Sequence, residues 1–154
     1  MVLTIRTARA DDLLDLAQMN KRLIEDEGHR NPMSIPELEQ RIRRWLQSDW
    51  RADLFLQSNI EDDTTLVGYA LYQNRKDEYT PDCPEVYLRQ FFIERPHRGQ
   101  GLGRLAIQML FSTRFPPRCT VVVDVLAANQ RGLRFWQQVG FQPYQTTLKA
   151  RVGE

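Results

Sequence analysis

Val86-Tyr87-Leu88-Arg89-Gln90-Phe91-Phe92-Ile93 leads through Glu94-Arg95-Pro96-His97 into Arg98-Gly99-Gln100-Gly101-Leu102-Gly103 and a run to Leu110. The opening residues are rich in β-branched and aromatic side chains and read as a buried strand. Pro96 stops any strand or helix passing through it. Glycines follow at positions 99, 101 and 103. From Leu102, the apolar residues Leu105, Ala106, Met109 and Leu110 recur with the spacing of one helix face. The stretch predicts a strand, a glycine loop and a helix over 102–113.

A helix start leaves backbone N–H groups unpaired and carries partial positive charge. Glycines let the main chain approach an anion closely. Arg98 and Arg104 place full charges beside the loop. The combination predicts a phosphate or pyrophosphate site. It is not a Walker loop, because Gly-x-x-x-x-Gly-Lys-Ser/Thr does not occur. Gly101-Leu102-Gly103-Arg104-Leu105-Ala106 matches G-x-G-x-x-A, with Asp124 near the distance of a ribose partner. However, seven residues including Pro96 separate Ile93 from Gly101, and only about 50 residues follow the loop. A doubly wound dinucleotide domain is rejected on both counts.

Composition narrows the field further. The 154 residues suit one domain with a real core. Lys plus Arg number 21 against 20 acidic residues, so bulk charge predicts neither a nucleic-acid nor a membrane partner. Apolar stretches are too short to span a bilayer, and acidic and amide residues interrupt any signal-like core near the start. Cys83 and Cys119 lack metal-ligand spacing, as do His29 and His97. The expectation is a soluble, cytoplasmic, metal-free domain with reduced thiols.

Outward from the central stretch, Leu3–Ala8 alternates as a first strand, and Asp11 or Asp12 caps a helix with Leu13, Leu16, Ala17, Leu23 and Ile24 on its apolar face. A loop at 28–32 precedes a second helix opened by Ser34 or Pro36 and running to about Ser48. Leu54–Gln57 and Thr65–Gln73 read as a hairpin, and 74–84 as a loop into the central strand. After Pro116-Pro117, Thr120–Leu126 reads as a fifth strand, parallel to the fourth because a helix crosses between them. Asn129 caps a last helix that Gly140 ends, and Phe141–Val152 is expected to supply one or two closing strands.

Two stretches carry a family resemblance. Arg98-x-x-Gly101-x-Gly103 after such a strand resembles motif A of the GNAT superfamily of acyl-CoA N-acyltransferases. Asn129-Gln130-Arg131-Gly132-Leu133-Arg134-Phe135-Trp136, ending in Gly140-Phe141, looks like its motif B, with Asn129, Gly132, Phe135, Gly140 and Phe141 in register. Together they cover roughly the C-terminal half, while the N-terminal half agrees in element order. The departure is Trp136, where the family usually has the Tyr proposed to protonate the leaving thiolate. An indole N–H cannot do so at neutral pH, although a thiol pKa of about 8.5 makes the thiolate a tolerable leaving group.

The resemblance implies an α/β fold, a central mixed sheet with parallel, splayed fourth and fifth strands flanked by helices, as one N-acetyltransferase domain over 3–152. It implies transfer of an acetyl (acyl) group from acetyl-CoA to a primary amine of a small molecule or protein. The alternative is a non-catalytic acyl-CoA-binding or sensing domain on the same fold, and a nucleotide-binding module is a further rival. Main-chain groups of Phe91, Phe92 and Ile93 are expected to meet the thioester and pantetheine arm. Arg98, Gly99, Gln100, Gly101, Leu102, Gly103 and Arg104 are expected to hold the pyrophosphate. Asn129, Arg131, Phe135 and Trp136 complete the expected cofactor contacts. For the base, Asp124 comes first, as a carboxylate amid valines in a strand read as buried. Glu85 is second, and Tyr144 is the nearest replacement for the missing acid. The acceptor contacts expected are His29, Arg30 and Tyr72, and a homodimer is a further expectation.

Overall fold

The computed structural model describes residues 1–153. Five strands form one sheet in the order β1-β2-β3-β4-β5: β1 (Val2–Thr7), β2 (Trp50–Ser58), β3 (Thr64–Lys76), β4 (Pro84–Ile93) and β5 (Thr120–Val122). The first four pair antiparallel, and β5 lies parallel to β4. Helices α1 (Leu13–Glu27) and α2 (Ile35–Leu46) cover one face, and α3 (Leu102–Thr113) covers the other, joined by α4 (Gln130–Gln138). The expected mixed α/β architecture with a parallel β4–β5 pair is what the chain adopts. Among the described residues, no helix is long and apolar enough to cross a membrane.

Alternation along the strands sorts the core into two layers. Phe55, Val67, Ala70, Val86 and Leu88 face α3 residues Ala106, Ile107 and Leu110. Leu54, Tyr69, Leu71 and Phe92 face Leu16, Leu23, Leu38 and Ile42 of α1 and α2. Period 2 in the strands meets period 3.6 in the helices, so each layer buries apolar surface from both.

Helix ends follow local chemistry. Ser34 accepts from the Glu37 N–H, and Glu37 reciprocates toward the Ser34 N–H, a capping box that opens α2. Asn129 accepts from the Gly132 N–H and caps α4. The Gly140 and Phe141 N–H groups close α4 on Gln137 and Trp136, with Gly140 at φ +106°.

Three expectations are corrected. The strand expected to end at Leu126 stops at Val122, because β4 offers β5 only three partners, Glu85, Val86 and Tyr87. Phe141–Val152 forms no strand, and Tyr144, Leu148 and Val152 are exposed. Their apolar alternation is present, but among the described residues this segment pairs with no strand of the sheet. Finally, β2 begins four residues before the expected Leu54, at Trp50.

Candidate active site

The site grows from the parting of β4 and β5. Pairing between them ends at Tyr87–Val122, while β4 continues along β3 as far as Gly68–Ile93. Residues 88–93 of β4 therefore present their outward main-chain groups to a gap, not to a neighbouring strand. Such groups are obligatory hydrogen-bonding partners. An extended ligand lying in the gap meets them as an added strand would.

The gap opens toward the glycine loop. Gly99 and Gly101 both take φ +78°, a left-handed conformation that costs glycine little. Among the described residues, the N–H groups of Gly99, Gln100 and Gly101 donate to no other main-chain group. They stand at the start of α3, where the first-turn amides of Leu102, Gly103 and Arg104 are also free of helical partners. Gly103 lies against Phe135, where an added Cβ would fall 2.9 Å from Cε1. Unpaired amides gathered at a helix start are the kind of cradle in which anionic groups bind.

The two arginines of the loop, expected as phosphate contacts, also make bonds within the chain. Arg98 turns back, its Nε donating to the Ile93 carbonyl at 2.7 Å and its Nη2 to Asp26. Its guanidinium also lies 5.3 Å from the centre of the Phe92 ring. Arg104 donates to the Gln138 carbonyl at 3.1 Å, tying α3 to the end of α4. These bonds tie the loop to α1, to the end of β4 and to the end of α4.

Under the gap lies an aromatic floor. Phe91 stacks on Phe135 at 5.8 Å and meets Trp136 edge-on at 5.5 Å, and Trp136 meets Phe141 at 5.0 Å. Trp136 is thus a packing residue between β4 and the end of α4. Phe92 points to the opposite layer, and Asn129 uses its carbonyl oxygen on the α4 cap. Arg131 is exposed on α4.

Asp124 is exposed and lies just past β5, which corrects its expected burial in a strand. It accepts a 2.6 Å hydrogen bond from the Tyr87 phenol, so it stands where β4 and β5 part. Burial first, and the Asp124 bond second, push the Tyr87 phenol up to about 12, so it keeps its proton at neutral pH. Sequence reasoning passed over Tyr87, although its position one strand residue beyond Val86 put it on the face opposite the α3 layer. Glu85 pairs with Thr120 and Arg75 at the far end of β4 from the glycine loop. Tyr144 lies in the exposed C-terminal segment.

Of the expected acceptor residues, His29 and Arg30 are exposed in the α1–α2 loop, where His29 Nδ1 accepts from the Asn31 N–H. Tyr72 does not join them. It is 3% exposed, donates to Asp53 at 2.6 Å and packs on Phe115 in the α3 layer. Strand alternation alone left its face open. A residue on the α1–α2 side that the sequence did not single out is Glu27, at the end of α1. Burial, with Asp26 as a lesser cause, raises its carboxyl above the usual range.

Comparison with known proteins agrees with this geometry. The profile of the acetyltransferase (GNAT) family matches residues 20–141, well over half of the chain. An acetyltransferase from Trypanosoma brucei superposes with a TM-score of 0.67 at 18% identity, over 98% of this chain and 100% of that one. An aminoglycoside N-acetyltransferase in complex with CoA gives 0.71 at 17% identity, over 98% and 95%. A Clostridium acetobutylicum protein assigned as an acetyltransferase, solved with acetyl-CoA, gives 0.71 at 15% identity over 97% and 96%. At these identities the superpositions speak for the fold, and the profile match speaks for the family. The chain, with its strand gap opening onto a glycine cradle, belongs to the GNAT acetyltransferase family, whose acyl donor is acetyl-CoA.

Proposed function

We propose that the protein transfers an acetyl group from acetyl-CoA to a primary amine of a small molecule or protein, by direct attack in a ternary complex. The observation that carries this reading is the three-residue β4–β5 pairing, which leaves the outer half of β4 open in line with the glycine cradle. Acetyl-CoA supplies an activated thioester; the chain supplies alignment, polarisation and a proton acceptor. Main-chain N–H groups around Phe91–Ile93 polarise the carbonyl that becomes an oxyanion. Amides of 99–104 hold the pyrophosphate, while Phe135 and Trp136 back the arm. Asp124, steadied by the Tyr87 phenol, takes the proton from the attacking amine. No side chain is needed to protonate the thiolate fully, given a thiol pKa of about 8.5.

A second reading, acyl-CoA binding without turnover, draws its support from Trp136 standing where a proton donor is usual in the family. One pair of measurements separates the two. Thermal unfolding with acetyl-CoA, CoA, NAD and ATP reports the ligand: saturation at about 100 times the dissociation constant adds roughly 2.7 kcal/mol, a rise of roughly 5–10 °C. Thiol release on adding an amine panel then reports chemistry. A rise with acetyl-CoA and CoA alone, followed by amine-dependent thiol release, is the expected result. A rise without release favours the binding reading, and a larger rise with NAD or ATP overturns both.

A further inference from the structure

On the α1–α2 face, beside the gap, lies a cationic cluster that the transfer step does not use. A bulge in β4 creates it: Leu71 pairs with Gln90 and Tyr72 with Leu88, leaving Arg89 unpaired. Leu88 and Phe91 face the α3 layer, so Arg89 and Gln90 both turn to the other side. There Arg89 lies 4.8 Å from the centre of the Trp45 ring, and Arg41 lies 4.4 Å from the same ring. Trp50 continues this wall, 5.5 Å from Trp45 and 6.0 Å from Tyr87, whose phenol holds Asp124.

The cluster is short of negative charge. Arg41 is half-buried, one guanidinium nitrogen donates to Asn20 at 3.3 Å, and its buried Nε has no acceptor. Burial first, then the like charges of Arg89 and Arg44, lower the Arg41 pKa, with Tyr69 opposing them. Among the described residues, neither Arg41 nor Arg89 has a carboxylate within 4 Å. Two nearby acids are otherwise engaged: Asp49 accepts from Gln73, and Asp124 is held by Tyr87. Stacking on tryptophan attracts a guanidinium but leaves its N–H donors unsatisfied. Two like charges held together in a half-buried site with unsatisfied donors fit an anion.

The cofactor's phosphates do not supply that anion. Arg89 precedes the end of β4 by four residues, about 13 Å along the strand from where the glycine loop departs. The arginines thus stand toward the Tyr87 end of β4, the end at which Asp124 is held. We infer that Arg41 and Arg89 bind a carboxylate carried by the acceptor, so that the acceptor is a small molecule with both a free amine and a carboxylate, as in an amino acid. The planar guanidinium fork suits a carboxylate's two oxygens. A polyamine or aminoglycoside is repelled by Arg41, Arg44 and Arg89. This inference rests on the acetyl-transfer reading above.

The test compares acceptors that differ only in the anion. With the full chain and acetyl-CoA, thiol release is measured for a set of amino acids, their amides, spermidine and phosphoethanolamine. An amino acid is expected to exceed its amide by roughly 10- to 100-fold in kcat/KM. R89Q, at an exposed position, is expected to remove that advantage mainly through KM, with acetyl-CoA binding retained. R41Q repeats the result, with its thermal midpoint read beside it. Equal rates for acid and amide, or spermidine or phosphoethanolamine turned over best, overturn the inference while acetyl transfer stands. Acetyl-CoA binding with no carboxylate-bearing amine turned over also overturns it. Absence of an acetyl-CoA thermal shift overturns the transfer reading itself, and this inference with it.

Discussion

The phenol of Tyr87 donates a 2.6 Å hydrogen bond to Oδ2 of Asp124, and Tyr87 is also the last residue of β4 to pair with β5. One residue thus marks where the two strands part and fixes the carboxylate beside the opening. Because burial and the Asp124 bond push the phenol up to about 12, Tyr87 stays a donor across the neutral range. With Asp124 as proton acceptor, D124N is expected to lower kcat by roughly 10²- to 10⁴-fold with acetyl-CoA affinity unchanged. Y87F, which loses only the steadying bond, is expected to lower kcat about fivefold to tenfold. Steady-state kinetics beside a cofactor titration checks both, and full turnover by D124N removes Asp124 from the mechanism.

Arg98 gives a prediction whose sign separates two roles. Were it a phosphate ligand, removing the Asp26 carboxylate from its side would free the cation and strengthen anion binding. As a brace between α1 and the end of β4, it needs Asp26 and the Ile93 carbonyl to hold the loop in place. Burial is the largest single influence on the Asp26 carboxyl and raises it, but the bonds and charges of Arg98 and Arg95 together hold it below its usual range. D26N is therefore expected to weaken acetyl-CoA binding by roughly tenfold, and R98Q by a similar amount. The double variant should lose little more than either alone, since residues in one network are not additive. Calorimetric titration of the three variants reads this directly; tighter binding by D26N would return Arg98 to the phosphate.

What the sequence made legible is what local chemistry decides. The strand, glycine loop and helix over 86–113 were readable because period 2, turn residues and period 3.6 follow one another without outside help. The caps at Ser34 and Asn129 were readable for the same reason. What was missed depends on distant partners. Asp53 breaks the apolar pattern of β2, yet it is buried because Tyr72 and Arg114 meet it from β3 and the end of α3. The valines 121–123 predicted a longer β5, but its length is set by its pairing with β4, which ends at Tyr87. Arg98 is engaged by Asp26, which lies 72 residues earlier in the chain. The bulge that aims Arg89 carries no glycine or proline to announce it.

Gly68 supports the gap from the neighbouring strand. A Cβ there would lie 2.1 Å from the Phe92 carbonyl oxygen, and backbone cannot swing aside as a side chain can. The same segment is pinned by the Glu94 N–H donating to the Val67 carbonyl at 2.8 Å. G68A is expected to destabilise the fold by about 1–3 kcal/mol and to push β4 toward the gap, weakening acetyl-CoA binding as well. G103A meets only the Phe135 ring, at 2.9 Å, so its ring can shift and the stability loss should be the smaller of the two. Denaturant unfolding of both variants ranks them, and the reverse order would refute this account.

The first helix is tied to β1 by Asp12. Its carboxylate takes both forks of Arg6, at 2.8 and 2.9 Å, and the Arg9 N–H at 2.7 Å, while the residue is only 9% exposed. The Arg6 hydrogen bonds, more than any other influence, hold its carboxyl below the usual range. A carboxyl depressed in the folded state contributes stability above its unfolded pKa of about 3.9, and loses it as pH falls through the folded value. D12N is therefore expected to cost about 1–2 kcal/mol at pH 7. The gap between wild type and variant should stay constant down to about pH 4, then close as the pH drops further. Urea unfolding of both proteins from pH 7 to pH 2.5 measures that difference directly. A gap that stayed open at the lowest pH would assign the stability to packing around Asp12 and not to its charge.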